Sequence, residues 1–513
     1  MISSSVHYLR SQASCKIQIC IGLVAWATGA SRRMIDILHQ SALTMSYTST
    51  LNVIESLSEH SLQRARNHVS RHPHALAYDN INISTSIFVE QREYTPNKVQ
   101  SGTFPVVYEL LNADPAHMKL EPIITRFQNS LPLTINDLRP SEEAMESFLL
   151  QTSINIAEVL FKYVEEFSYI KEDPRFKHPI RRAIPKGHKT KFHCLRASTI
   201  EEASVQGNLL VHDDVYRVQL KLDSKDPILN DQAIPTFNDQ LTNSRIRGAQ
   251  ASCIDDISRW EQRLVFQISL GLFHLLMDFN WSLLATHRGA MGEIGSLSHF
   301  FAVLDKTRLG GDQPDFHTLK AALMQILEGL LLNAWQMESG FASLQDYAKS
   351  QPTAEVLLQQ ATKIIRRYAT PECRQEVLQD PSKQKSSAIQ LEGSTSTTTT
   401  PKPDNVYANV VLLTRDLLYV MELINAISAG DFGRVEDILP DLACMFRGAS
   451  SNNYSTEILH LIFNLKEVWT AEFGYGFPYR PQSLSDLSMT ATSCVIICLS
   501  ILLASKDMLW PLI

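Results

Sequence analysis

The spacing of apolar positions changes several times along the chain, and each change marks an element. Up to about residue 70 the apolar residues recur at helical spacing, with breaks at Gly29 and around Ser46. This predicts two or three helices with Ser31 and Ser49 as N-caps. From His74 the texture changes, and in HALAYDNINISTSIFVEQ the β-branched and aromatic residues nearly alternate. Ala75, Ala77, Asp79, Ile81 and Ile83 then fall on one side of a strand, with an acid where an apolar residue is expected. Helical spacing returns over 141–169, where Met145, Phe148, Leu149, Ile156, Val159 and Leu160 form one stripe.

Residues 208–222 predict a second strand, after which IPTFNDQLTNSRIRGAQ carries Asp239 into a polar turn behind a short apolar approach. From Trp260 onwards the pattern is strongly helical. RLVFQISLGLFHLLMDFNWSLLATHRG and PDFHTLKAALMQILEGLLLNAWQME read as long helices with broad apolar faces, ended by Gly289 and Gly340. Residues 379–404, with STSTTTTPKP, form a hydrophilic low-complexity linker expected to be disordered. Helices follow over 405–429 and 436–446, and then Ser451 or Asn452 caps a helix bearing Glu457.

A chain of 513 residues exceeds one ordinary core, and 44% hydrophobic with 20% charged residues is a globular balance. The segments group as an N-terminal helical part (1–72), a mixed α/β part (73–259) and a helical body (260–378), then the linker, C-terminal helices (405–473) and an atypical tail (474–513). The net charge of -7 means that any nucleic-acid contact must come from a local basic patch. One such patch spans 175–196, where Arg175, Lys177, Arg181, Arg182, Lys186, Lys189, Lys191 and Arg196 occur without a single acid. Pro179 and Pro185 make it an irregular loop. The ordinary reading of such a run is a solvated surface, and its isolation in an acidic chain makes it the candidate phosphate contact.

The eight cysteines are scattered, without Cys-x-x-Cys pairs or zinc-finger spacing, so reduced thiols in a nuclear or cytoplasmic setting are expected. Two apolar runs bear on topology. The first, 17–30, reads as a helix because its pattern continues through Met34, Ile35, Ile37 and Leu38. The second, 487–505, is uncharged but rich in Ser and Thr, which leaves a membrane anchor as the least favoured class. The tail as a whole is expected to stand outside the folded domain.

Two strand-borne acids, Asp79 and Asp239, with one helix-borne acid, Glu457, form the kind of set that metal-dependent nucleases require. Mg²⁺ or Mn²⁺ takes hard oxygen ligands, and carboxylates from separate elements supply them. A chain with 54 acids offers many such triples, however, and polar turns with helix-capping acids are the bland alternative. His274 and Asp278 lie one turn apart on an apolar helix, where a buried, satisfied histidine is the default reading. Trp281 and Trp335 are assigned to the core, and His287 with Arg288 to a helix end. No Gly-rich phosphate loop is present.

The strings YDNINIS, PTFNDQLTNSRIRGAQ, LFHLLMDFNWSLLATHRG, GSLSHFFAVLDKTRLGG, PDFHTLKAALMQILEGLLLNAW and GDFGRVEDILPDLACMFRGASSNNYSTEILHLIFNLKEVWT resemble the uncharacterised fungal family called domain of unknown function sixty-five eighty-nine. The resemblance runs from near the N-terminus to about Phe473 and implies no particular reaction. Its layout of strand acid, second acid before a turn, helical insertion and late helix acid is similar to transposases of cut-and-paste elements. By that analogy Asp79, Asp239 and Glu457 are the metal-ligand and catalytic candidates.

The fold expected is α+β and predominantly helical, with a small mixed sheet of ribonuclease-H-like type and a large helical insertion. The leading function is a transposase-derived, DNA-binding or metal-dependent nuclease-like protein, active or inactive. Its rival is a catalytically silent helical interaction protein.

Overall fold

The computed structural model describes residues 2–84, 99–110, 113–185, 187, 189–223, 225–370 and 405–476. The predicted linker, Lys186 and all but the first three residues of the predicted tail lie outside the described residues.

Four helices open the chain: α1 (Ile2–Arg10), α2 (Lys16–Ala27), α3 (Arg32–Gln40) and α4 (Tyr47–Val69). A hairpin of β1 (His74–Ser84) and β2 (Val99–Glu109) leads to α5 (Leu120–Gln128), α6 (Glu142–Tyr163) and β3 (Phe192–Cys194). Then come α7 (Val205–Asp213), β4 (Ile234–Asn238), α8 (Gln240–Ser252) and β5 (Phe266–Leu270). The rest is helical: α9 (Leu272–His287), α10 (Leu297–Val303), α11 (Phe316–Ser339), α12 (Leu344–Lys349) and α13 (Ala354–Tyr368). After the undescribed stretch follow α14 (Asn405–Ala429), α15 (Phe432–Gly448), α16 (Asn452–Phe463) and α17 (Ala471–Gly476). The protein is therefore α+β and mostly helical, with one small mixed sheet. Among the described residues no helix is long and apolar enough to cross a membrane.

The helix starts follow local chemistry. Ser31, Ser141 and Asp315 each accept a backbone N–H three residues ahead, satisfying a donor the helix itself leaves open. Ser49 is not a cap; its N–H is the donor to Ser46, so α4 starts earlier than its sequence suggests. α11 ends, as its sequence predicts, at Gly340, whose φ of 72° is the left-handed closure that glycine makes cheaply.

The chain divides into two compact units, each assembled from separate stretches. The first takes 1–132, 185–271 and 463–513, and the second takes 133–184 and 272–462.

The first unit contains the whole sheet, in the order β3-β2-β1-β4-β5. β1 pairs antiparallel with β2, and β2 antiparallel with β3, whereas β4 runs parallel to both β1 and β5. Two stretches of it depart from the sequence expectation. Residues 208–222 form α7 and a wide turn of helix over Asp214–Gln219 rather than a strand. The β-branched residues suggested a strand, but a Ser204 cap and the burial of Val211, His212, Val215 and Tyr216 on one side favour a helix. Conversely, VFQISL before α9 is not helical: Phe266–Leu270 is β5, paired with β4 along its full length. Phe266, Ile268 and Leu270 alternate with polar Gln267 and Ser269, the period of a strand, and the pairing with β4 agrees with it.

The second unit is helical. Its central helix is α6, buried on nearly every side from Gln151 to Phe161, as expected of a helix surrounded by others. α11, α13, α14 and α15 pack around it. Trp335 is fully buried, and its indole N–H donates to the Ile156 carbonyl at 3.1 Å, so its assignment to the core holds. Within this core Arg434 forks onto Glu422 with contacts of 2.7 and 2.8 Å, both residues being almost wholly buried. Asn155 donates to the same carboxylate at 2.8 Å, and Asn425 donates in turn to Asn155.

Candidate functional site

The parallel pairing of β1 with β4 sets Leu76 beside Thr236 and Ala77 beside Phe237. Asp79 follows this pairing by two residues on β1, and Asp239 stands just past the end of β4 as the N-cap of α8. The charges of both acids act on one further side chain, Glu202. Asp79 is exposed and accepts the Asn80 N–H at 2.8 Å. Asp239 is half-buried and caps α8, accepting the Thr242 N–H at 2.7 Å.

A third carboxylate, Glu202, joins them, and sequence reasoning missed it. It precedes α7, is only 5% exposed, and its Oε2 has no hydrogen-bond partner. Burial and the charges of Asp79 and Asp239 push its pKa up to about 8, although the Thr242 side chain and the Asn80 backbone pull the other way. Glu202 is therefore largely protonated at neutral pH. A buried carboxyl with one unpartnered oxygen, close to two further carboxylates, is a set of hard oxygen donors. These hard oxygens fit Mg²⁺ or Mn²⁺ rather than a soft metal. Among the described residues, though, no three His, Cys, Asp or Glu side chains already form a closed ligand group.

The surrounding residues hold this group in place. Tyr78, next to Asp79, points its hydroxyl to Asn208 at 2.7 Å and His212 at 3.0 Å, tying β1 to α7. Its backbone N–H donates to Asn238, which in turn donates to Asn243 of α8. Asn243 continues to the Ser269 carbonyl of β5. The loop carrying Glu202 is pinned by Asn208, which donates to the Glu202 carbonyl at 2.6 Å. Gly207 is required there, because a Cβ would stand 2.0 Å from the Glu201 carbonyl oxygen.

Glu457 belongs to the other unit. It lies on α16 and is only 2% exposed.

The basic run is also divided, residues up to 184 belonging to the second unit and those from 185 to the first. Its arginines are engaged within the protein. Arg175 pairs with Asp173 at 2.8 Å and Arg181 with Asp437 at 2.9 Å and Glu143, while Arg182 pairs with Glu436 at 2.9 Å. Arg196 contacts Glu55 and Glu59, and Lys191 lies 3.9 Å from Glu109. Lys177, Lys189 and Lys191 are exposed. We expect Arg181→Ala to cost about 2 kcal/mol, because it strips the charged partner from the sheltered Asp437. Lys189→Ala with Lys191→Ala should be nearly neutral, within about 0.5 kcal/mol. Urea denaturation of both variants checks the contrast.

The remaining candidates have local roles. His287 bonds Asp416 at 2.7 Å, and Arg288 donates to the Gly310 and Gly311 carbonyls. Trp281 donates to the Pro314 carbonyl at 3.1 Å.

The first unit is thus an α+β domain whose mixed sheet gathers carboxylates where β1 and β4 lie side by side. Residues 127–476 match the Family of unknown function (DUF6589), and the chain belongs to that family. No curated protein and no solved structure matches it. The match includes Glu202, Asp239 and Glu457 and ends close to Phe473, but it starts well after Asp79, so YDNINIS lies outside it.

Proposed function

We propose that the first unit is a ribonuclease-H-like domain and that Asp79, Glu202 and Asp239 bind Mg²⁺ or Mn²⁺ to act on a nucleic-acid phosphodiester. The observation that carries this reading is the buried Glu202 carboxyl, one oxygen of which has no hydrogen-bond partner, within reach of the charges of Asp79 and Asp239 at the ends of the parallel β1–β4 pairing. The sheet order, three antiparallel strands followed by two parallel ones, supports the fold assignment. Bound divalent ions would steady the attacking and leaving oxygens of the phosphodiester. The chain's own part is to hold three carboxylates at fixed positions through the Tyr78, Asn208, Asn238 and Asn243 bonds, and to keep Glu202 uncharged until a cation arrives. A transposon-derived origin and DNA as the substrate belong to the same proposal, with Lys177, Lys189 and Lys191 as the exposed cations of the basic run.

Asp239 caps a helix and Asp79 bonds its neighbour, which favours the rival reading of a silent helical interaction protein. Titration calorimetry with Mn²⁺ separates the two. The nuclease reading expects saturable Mn²⁺ binding and divalent-dependent cleavage of single- or double-stranded DNA, both lost in Asp79→Asn. Glu457→Gln tests whether the helix acid of the second unit takes part. Absence of Mn²⁺ binding to the unaltered protein refutes the site and leaves the interaction protein.

A further inference from the structure

Within the second unit, α9, α14 and α15 line an open pocket of about 500 Å³, in the size range of small-molecule sites. One wall is apolar, formed by Phe279, Leu283 and Met445. The lining also includes Arg415, Asp416 and Asp441, two carboxylates to one guanidinium. Asp416 receives His287 at 2.7 Å and the Arg415 guanidinium at 2.5 and 2.6 Å, so the Arg415 charge is already matched. Asp441 shares that one guanidinium at longer range, where the Arg415 charge acts on it without an ion-pair contact, and its hydrogen-bond partner is the Tyr419 hydroxyl. Burial accordingly pushes the Asp441 carboxyl above its ordinary range. The C-terminal end of α15, at Gly448 and Ala449, also lines the cavity and adds the negative end of a helix dipole.

We propose that this cavity binds an organic ammonium ion with an aryl or alkyl body. Asp441 takes the ammonium in a charge-assisted hydrogen bond, and the Phe279–Leu283 wall covers the apolar body. An anion is disfavoured by the excess carboxylate and the helix end. A purely apolar ligand would displace water from Asp441 and leave it only the Tyr419 hydroxyl and the shared Arg415 charge.

The test uses the full chain and 2-phenylethylammonium as the probe, with neutral 2-phenylethanol as its control. Cys444 is exposed and lines the cavity, so its alkylation, read by peptide mass spectrometry, reports occupancy. The expected result is saturable calorimetric binding of the amine that slows Cys444 alkylation. Binding of the alcohol should be at least about tenfold weaker, as should amine binding to Asp441→Asn. Cys444→Trp, which fills the cavity from an exposed position, should abolish binding even if Asp441→Asn fails to fold. Three results would overturn the proposal: no saturable binding to the unaltered protein, equal affinity for amine and alcohol, or unchanged affinity in a folded Asp441→Asn or Cys444→Trp variant.

Discussion

Replacing Arg434 by Met is expected to destabilise the second unit by about 3 to 5 kcal/mol, the cost of leaving a buried charge without its partner. The guanidinium is the only cation on the buried Glu422 carboxylate among the described residues; Asn155 contributes a single amide donor. Removing it leaves a carboxylate that must either stay charged in an apolar core or take up a proton. The double variant Arg434→Met with Glu422→Leu removes both charges and should be far milder, close to the unaltered protein. Urea denaturation of the two single variants and the double yields the coupling energy directly. A double variant as unstable as Arg434→Met alone would show that packing, not charge, governs this core.

The second large effect concerns Glu202. Its folded pKa of about 8 lies above the ordinary glutamate value of 4.5, so the folded state holds a proton that the unfolded state gives up. The associated stability is fully present below about pH 4.5 and is lost as pH rises through 8. The slope is at most about 1.4 kcal/mol per pH unit. Glu202→Gln cannot lose a proton, so at pH 8 and without metal the variant should be more stable than the unaltered protein, by on the order of 2 kcal/mol. Mn²⁺ should reverse the ranking, because it stabilises only the protein that keeps the carboxylate. Thermal unfolding from pH 5 to 9, with chelator and with Mn²⁺, reads all of this. A pH profile identical in the two proteins would show that Glu202 is not the group that titrates.

The sequence revealed the acids that sit on regular elements better than the one that sits before a helix. Asp79 stood out because it interrupted an alternation, and Asp239 because it ended a short apolar run. Both places are strand-borne or strand-terminal in the structure. Glu202 lies in STIEEAS, which reads as an ordinary polar approach to a helix. What distinguishes it is its burial against residues 123 positions before and 37 after, and no local pattern encodes such proximity. Glu457 was legible as a helix acid, but nothing in its spacing tells which unit its helix joins. The strand β5 was hidden because its alternation of Phe266, Ile268 and Leu270 with Gln267 and Ser269 lasts only five residues and runs straight into the apolar start of α9. The wrong strand at 208–222 has the opposite cause: Val211, Val215, Tyr216 and Val218 favour a strand locally, and burial against neighbouring elements decided otherwise.

The interleaving of the two units orders events on the ribosome. The hairpin of β1 and β2 can close early, because its partners are adjacent in sequence. The rest of the first unit must wait, since Trp469 donates to Gln267 at 2.9 Å and Arg126 reaches the Lys466 carbonyl. Those contacts exist only after the last helices of the second unit have been synthesised. The earliest part of the chain to emerge is therefore among the last to be finished, and β5 remains a partly covered strand edge throughout the interval. Nascent chains stalled before residue 463 should lean on chaperones in a way that full-length chains do not.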